Sequence, residues 1–401
     1  MREAILKSGI LRVDQTMGTR LPASLDFVPE PEAAALGVLP HSDLQPGNVY
    51  LIVDCGAGTV DIIPYIVKSS SPLELGDCVA GDGGLLGDMF MKSALVGMLW
   101  RQVAAQHNLS DIDKDHLESQ METAWATSRR HSYDDLGSPN WVVRLEVRRR
   151  SGARLPDLPI CGPDIVREFR SVTDGIVRLV KQQEDAVMEK HGVKPCFIIV
   201  VGGFGLNEFL LSELHRCFGS RVVPTGDAGL YAVRDGVAIA GIQRHRGADA
   251  TAVVYRPDTA ALIPVRISTQ VSRHSYGYWA GYGAISQLTW FLTKGDDIPV
   301  GRPYTIPLNI AAFQQVFGRC YFSVYRCPHP VRGTLPTSAV EDVFEFCHVR
   351  CLDPSILTTG LQLQLSTQVT GPAVQFSIFV NGVPVEDSIH KGKFEVVLSD
   401  H

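Results

Sequence analysis

The pattern of apolar and polar residues predicts a first half in which strands and helices alternate. The runs 49–54 and 197–201 are apolar and rich in β-branched residues, and each ends at a glycine turn, as buried strands do. The segment 60–67 has the same character. We therefore expect it to form a β-hairpin with the first run, with the tip at residues 54–59.

Helical patterns separate these strands. Apolar residues recur at helical spacing, or small residues dominate, in six segments: 33–36, 89–107, 114–130, the stretch that begins at Gly162, 208–218 and 228–241. Strands that alternate with helices are typical of an α/β domain with a parallel or mixed sheet, which we place at residues 1–242.

The pattern changes after residue 242. Strand-like segments separated by turns follow one another, and Asn381-Gly382 is the turn signal of a β-hairpin. We interpret residues 243–270 as a linker and residues 271–401 as a mainly β, sandwich-like domain.

Composition narrows the class of protein. The 401 residues are 45% hydrophobic and 20% charged, which suits a globular fold. A net charge of −6 gives no electrostatic footprint for nucleic acid, and no run of 18 apolar residues predicts a membrane span. The opening residues 1–7 contain an acid and lack the long apolar core of a secretory signal.

The nine cysteines favour a cytoplasmic protein. Their number is odd and no CxxC pair occurs, so we expect reduced thiols. The nearest approach to a metal cluster fits no closed zinc pattern by its spacing; it consists of Cys327, His329, Cys347, His348 and Cys351.

Four places carry residue types suited to phosphate and magnesium chemistry. Glycines at the 54–59 hairpin tip let backbone N–H groups approach an anion, and Asp54 at a strand end suits a hydrated Mg²⁺. Gly202-Gly203 turns a strand toward a helix; Asp227 precedes another helix, and Glu30 lies between two prolines. Taken singly, the Gly202-Gly203 turn and Glu30 are better explained as a plain tight turn and a solvated turn acid, and a helix cap is sufficient to explain Asp227.

In their order along the chain these segments resemble the nucleotide-binding domain of the seventy-kilodalton heat shock protein family, within the actin-like ATPase superfamily, whose fold is ribonuclease H-like. The likeness covers about residues 1–242 and is nearest to the divergent type-12 members. It is carried by Met1-Arg2-Glu3-Ala4, Glu30-Pro31-Glu32-Ala33-Ala34, Val53-Asp54, Gly58-Thr59-Val60-Asp61 and Val201-Gly202-Gly203-Phe204. It continues only loosely at Ser275-Tyr276-Gly277-Tyr278.

The resemblance implies ATP or ADP with magnesium as ligands. By position, the phosphate and nucleoside contacts would come from Gly56, Ala57, Gly58, Thr59, Gly87, Arg129, Gly202, Gly203, Phe204 and Asp227. Asp54 would hold Mg²⁺ through water near the attacking water, and Glu30 would be a second acid of that shell. Gly87 would belong to the opposite lobe. We expect the two glycine turns, one from each lobe, to face each other across a cleft.

Several departures from the family pattern predict weak or absent hydrolysis. Ala57 replaces a glycine of the phosphate loop, and Ala126 falls where the family has a ribose-contacting glutamate. The family's first phosphate loop and its water-positioning lysine lie before the segment that Met1 begins, so we expect an N-terminally incomplete nucleotide-binding domain. Phosphoryl transfer depends on positioning and electrostatics. Without the first phosphate loop and the lysine, the remaining phosphate contacts support at most a weak ATPase.

Three functions are compatible with the sequence. The first is a stress-response chaperone that binds nucleotide in the α/β domain and unfolded or partner polypeptide through the β domain. The second is a non-catalytic scaffold that keeps the ATPase fold as a shape for partners. The third is a small-molecule kinase of the same superfamily, against which the β-rich second half argues.

Overall fold

The computed structural model describes residues 28–39, 44–106, 115–116, 118–120, 142–145, 152, 158–246, 252–256, 261–279, 287–300, 303–308, 314–316, 319–351, 362–370, 373–384 and 394–398. Arg129, Ala126 and most of the helix expected at 114–130 lie outside these residues. The helices within them include α1 (Glu30–Val38), α2 (Asp88–Gln106), α3 (Gly162–His191), α4 (Glu208–Phe218) and α5 (Asp227–Arg246), and residues 115–116 and 118–120 are also helical.

The strands of the described chain fall into two groups. Those of the first part are β1 (Val49–Cys55), β2 (Val60–Ser70), β3 (Leu73–Asp77), β4 (Asp82–Gly84), β5 (Val142–Leu145), β6 (Leu158–Cys161), β7 (Phe197–Val201), β8 (Val222–Pro224), β9 (Ala252–Arg256) and β10 (Ala261–Val271). Those of the second part are β11 (Ser275–Trp279), β12 (Gln287–Leu292), β13 (Asp297–Pro299), β14 (Tyr304–Leu308), β15 (Gln314–Val316), β16 (Arg319–Cys327), β17 (Gly333–Pro336), β18 (Phe344–Cys351), β19 (Leu363–Thr370), β20 (Ala373–Val380), β21 (Val383–Pro384) and β22 (Phe394–Leu398).

One mixed sheet organises the first part of the described chain. Its strands lie in the order β13-β10-β3-β2-β1-β7-β8, with β4 beside β2 and β9 beside β10. The strands β1, β2 and β3 form an antiparallel meander, whereas β7 lies parallel to β1 and β8 parallel to β7. The hairpin and the α/β alternation predicted from the sequence are therefore present.

Helices cover both faces of this sheet because its central strands are apolar on both sides. In β1, Leu51 and Val53 pack with α2, α3 and α4, while Tyr50 and Ile52 pack with α1 and α5. Such near-continuous apolar runs are expected for strands that are buried on both faces. We refer to this three-layered part as the α/β unit.

Small residues allow α1 and α5 to cross closely. A β-carbon added to Gly236 would collide with the backbone of Ala33, and one added to Gly37 would collide with the carbonyl of Ala232. The alanine-rich and small-residue-rich patterns of the two segments therefore serve helix packing. This crossing fixes the start of α1, where Glu30 lies, against the sheet.

The segment interpreted as a linker, 243–270, contains β9 and most of β10, and both strands belong to the mixed sheet. β10 pairs in parallel with β3, and Val265 and Ile267 are buried in the core beneath α1 and α5. The burial of these side chains explains why this segment joins the sheet. Only residues 272–274 separate β10 from β11.

Two antiparallel sheets form the second part of the described chain. One has the order β17-β12-β11-β16-β18-β22, with β15 beside β16, and the other has the order β14-β19-β20-β21. Their facing side chains share one core, in which Tyr276 and Phe322 of the first sheet meet Leu365 and Ile378 of the second. We call this part the β unit. The hairpin turn predicted at Asn381-Gly382 is present, with φ of 51° and 81°.

Candidate functional site

The two glycine turns singled out in the sequence lie side by side at one edge of the mixed sheet. Strands β1 and β7 are parallel neighbours in which Asp54 is paired with Val201, so both chains leave the sheet at the same edge. The carboxyl ends of parallel strands are where α/β folds place their ligand-binding turns. The expectation that the turns face each other from opposite lobes is therefore corrected, because both follow strands of a single sheet.

The hairpin tip directs its carbonyl groups toward α2. The N–H groups of Gly87, Asp88 and Met89 donate to the carbonyls of Gly58, Gly56 and Ala57, at 3.2, 3.3 and 2.9 Å. In a trans peptide the N–H group points opposite to the preceding carbonyl. The N–H groups of residues 57, 58 and 59 therefore point away from α2, as a set of donors that could approach an anion.

Gly87 lies behind the hairpin tip in the α/β unit rather than in an opposite lobe. A β-carbon on it would collide with the carbonyl of Ala57 and would lie 2.5 Å from the nitrogen of Gly58. A side chain here would push the tip off the helix. Gly87 thus supports the hairpin tip on the side to which the carbonyls of residues 56–58 point.

The second turn closes against the first. Gly202 has a φ of +85°, and a β-carbon on it would collide with the carbonyl of Cys55 and lie 2.7 Å from Oδ1 of Asp54. The N–H of Gly202 donates to the carbonyl of Gly229 at 3.2 Å, which ties the turn to α5. Only glycine combines this backbone conformation with this approach.

Three carboxylates gather at the hairpin. Asp54 is 5% exposed, and Asp61 is its directly paired neighbour across β1 and β2. Burial, together with the nearby charges of Glu30 and Asp61, raises the pKa of Asp54 to about 7. Among the described residues no cation forms an ion pair with Asp54. A divalent cation at this position would relieve the repulsion.

The donor set fits magnesium bound mainly through water. Magnesium keeps several waters and takes one or two carboxylates from a protein. The described residues contain no group of three or more His, Cys, Asp or Glu side chains arranged to hold a metal directly. Asp54, with Glu30 nearby, could therefore hold a hydrated cation, and bound Mg²⁺ would supply charge for polyphosphate oxygens.

The remaining residues named from the sequence have different surroundings. Thr59 and Asp227 are exposed, and Asp227 is the first residue of α5. Phe204 is 3% exposed and packs in the core with Val200 and Phe209, so only its backbone is available to a ligand. Arg129 lies outside the described residues.

Two residues at this edge were given no role in the site from the sequence. Asp61 faces Asp54, and the spacing Gly-Thr-x-Asp was the signal that could have identified it. Leu230 is 46% exposed and its Cδ1 would lie 3.9 Å from a β-carbon on Gly203, so it flanks the second turn. No sequence pattern separates Leu230 from the other apolar residues of α5.

Comparisons with known proteins identify no family. No protein-family model matches the sequence, and no curated protein matches it significantly. No helix among the described residues is long and apolar enough to cross a membrane.

Proposed function

We propose that the chain binds ATP or ADP at the edge formed by the 54–59 hairpin tip and the Gly202-Gly203 turn. The observation that carries the proposal is the approach of Gly202 to Asp54, which brings a bare backbone turn and a buried carboxylate into contact. Outward N–H groups at residues 57–59 would contact phosphate oxygens. Asp54 would hold hydrated Mg²⁺, with Glu30 and Asp61 adding negative charge.

The strand order supports an actin-like ATPase fold of the ribonuclease H type. A meander of three antiparallel strands followed by two parallel strands beside the first gives the order β3-β2-β1-β7-β8. Membership of the seventy-kilodalton heat shock family is part of this proposal, and it rests on the motifs and on this order. We expect hydrolysis to be weak, because Asp54 with a pKa of about 7 is only partly ionised near pH 7, and its protonated form cannot orient a cation or a water as a carboxylate does.

We also propose that the β unit binds extended polypeptide. Strand β14 lies at an end of the four-stranded sheet, and Tyr304 on it is exposed. An edge strand can pair with an extended chain through its backbone while a neighbouring aromatic ring contacts side chains. Fluorescence anisotropy with an extended apolar peptide tests this, and Tyr304→Ala is expected to weaken binding.

Isothermal titration with MgATP tests the nucleotide proposal. We expect a dissociation constant below about 1 mM for the wild-type protein. Asp54→Asn should weaken MgATP binding at least tenfold. Asp185→Asn, which changes an exposed aspartate of α3, is the matched control and should bind like the wild type. Absence of binding in the wild-type protein, or equal binding in both variants, contradicts the proposal.

A non-catalytic scaffold is the second candidate, and one observation favours it. Leu85 is 72% exposed and Met89 is 51% exposed beside the hairpin tip. Large apolar side chains that are exposed within four residues of the chain suit a protein partner better than a polyphosphate. A stable fold that binds no nucleotide, with a partner whose affinity falls in Leu85→Ser, would favour this function.

A further inference from the structure

We propose that the junction between the α/β unit and the β unit is a pH-sensitive latch built on Asp77 and the C-terminal end of β10. The carboxylate Oδ2 of Asp77 accepts a hydrogen bond from the backbone N–H of Val271 at 3.1 Å. Val271 is the last residue of β10, and the β unit begins at Ser275. A change at Asp77 therefore acts where the two units are joined.

Polar groups of the α/β unit and of the segment that enters β13 surround this contact. Gln270, next to Val271, donates through Nε2 to Oε2 of the buried Glu32 at 2.5 Å. Lys190 at the end of α3 bonds to the carbonyl of Gly295 at 3.2 Å and to Oδ1 of Asp297 at 3.1 Å. The β13 strand also pairs with β10, so the junction is a set of polar contacts around one shared strand.

The negative charge of ionised Asp77 is poorly balanced by positive charges in this position. Burial first, and the charges of Glu32 and Asp297 after it, raise its pKa to about 7 against the opposing effects of the Val271 N–H and of Arg273. The neighbouring hydroxyl of Tyr65 also has a raised pKa, from burial first and from Asp77 and Glu32 after it. The charge of ionised Asp77 is thus repelled by the neighbouring acids, and Arg273 is the main positive charge that stabilises it.

Other titratable groups border the latch and have to be separated from it. His191 bonds through Nε2 to the carbonyl of Cys78 at 2.9 Å. Burial, with Lys68 and Lys190 opposing it, raises the pKa of the Cys78 thiol to about 12, so it stays neutral near pH 7. Burial and nearby cations lower the pKa of His274. Among these neighbours, His191 is the group whose contribution needs a control.

The direction of the pH effect follows from the two states of the junction. In the closed state the pKa of Asp77 is about 7, whereas an exposed aspartate in an opened junction has its ordinary value of about 4. The closed state therefore binds the proton more tightly. Opening becomes more favourable as pH rises from about 4 to about 7, by up to about tenfold per pH unit, and is constant above that range.

Hydrogen exchange of the β10 amides in the full-length protein tests the proposal. The protection factor of the Val271 amide, corrected for the intrinsic exchange rate, should fall by up to about tenfold per unit between pH 5 and pH 7 and level off above pH 8. Asp77→Asn should give high protection without this slope. In Glu32→Gln the protection factor should fall with the same slope but should level off at a lower pH. The reason is that the variant lacks one of the charges that raise the pKa of Asp77.

Two variants serve as matched controls. Asp185→Asn changes an exposed aspartate of α3 and should leave the slope at Val271 unchanged. His191→Gln should leave it unchanged as well. A flat profile in the wild type, the same slope in Asp77→Asn, or loss of the slope in His191→Gln overturns the proposal. If Asp77→Asn does not fold, the midpoint shift in Glu32→Gln decides.

Discussion

Gly202 and Asp54 are in contact range across two neighbouring strands, and a β-carbon on the glycine would lie 2.7 Å from the aspartate Oδ1. The contact joins the turn after β7 to the carboxylate at the end of β1. Because β1 and β7 are parallel and paired at Asp54 and Val201, the contact follows from the sheet itself.

Gly202→Ala should therefore damage both stability and the site. The new methyl group would collide with the carbonyl of Cys55, and the positive φ of +85° adds strain. We expect a loss of about 2–3 kcal/mol in the free energy of unfolding, measured by urea denaturation. Gly203→Ala is the control, since its nearest neighbour is Leu230 Cδ1 at 3.9 Å and no positive φ is involved. Equal stability of the two variants would refute the described geometry.

Asp54→Asn should stabilise the protein at neutral pH. The pKa of Asp54 is about 7 in the folded protein and 3.8 in the unfolded chain. Its contribution to the free energy of unfolding is therefore fully present below about pH 4 and is lost as the pH rises to about 7. The amide carries no charge and avoids the repulsion from Glu30 and Asp61. We expect a gain of about 2 kcal/mol at pH 8, little change at pH 4, and a shallower pH profile between them. Chemical denaturation across this range measures it, and destabilisation at pH 8 would contradict the burial argument.

The affinity for MgATP should depend on pH through the same group. A proton and a hydrated cation compete for Asp54, so affinity should rise between pH 6 and pH 8 and then level off. Titration calorimetry in buffers of different ionisation enthalpy should detect proton release near pH 7. In Asp54→Asn this pH dependence should vanish; its persistence would assign it to another group.

Gly236→Ala tests the crossing of α1 and α5. The added methyl group would collide with the backbone of Ala33, which cannot yield as a flexible side chain could. We expect a loss of about 1–3 kcal/mol. Gly241→Ala in the same helix has nothing within 4 Å and should instead gain about 0.5–1 kcal/mol from helix propensity. Thermal unfolding of both variants gives the comparison, and a shift of the same sign in both would argue against the close crossing.

Much of the α/β unit could be predicted because its local patterns are strong. The apolar runs of β1 and β7 and the glycine turn between β1 and β2 specify a buried hairpin and its parallel neighbour. Parallel pairing then implies that both turns lie at one edge. The expectation that the two turns lie in opposite lobes was taken from the family resemblance, and it is wrong. The strand pattern by itself predicts that both turns lie at one edge of the sheet.

The position of β10 in the mixed sheet could not be predicted from local patterns in the same way. Val265 and Ile267 alternate with Arg266 and Ser268, which identifies a half-buried strand but not its partner. That partner, β3, lies about 190 residues earlier in the chain, as in the pairing of Val265 with Leu73. Pairing over such a separation depends on the packed core, so a single sequence cannot reveal it. The Asp77 contact to Val271 is hidden for the same reason.

Ser275 joins three backbone segments of the β unit, and its removal should be costly. Its hydroxyl donates to the carbonyl of His329 at 2.6 Å and accepts from the N–H groups of Lys294 and Val331 at 2.9 and 3.0 Å. The residue is fully buried, so Ser275→Ala would leave these groups without their partner and without water. We expect a loss of about 2–4 kcal/mol, since two donors and one acceptor are affected. Ser171→Ala, which removes an exposed hydroxyl bonded to the carbonyl of Glu168, should change stability by less than about 0.5 kcal/mol. If Ser275→Ala unfolds no more easily than Ser171→Ala in urea, the hydroxyl does not organise these loops.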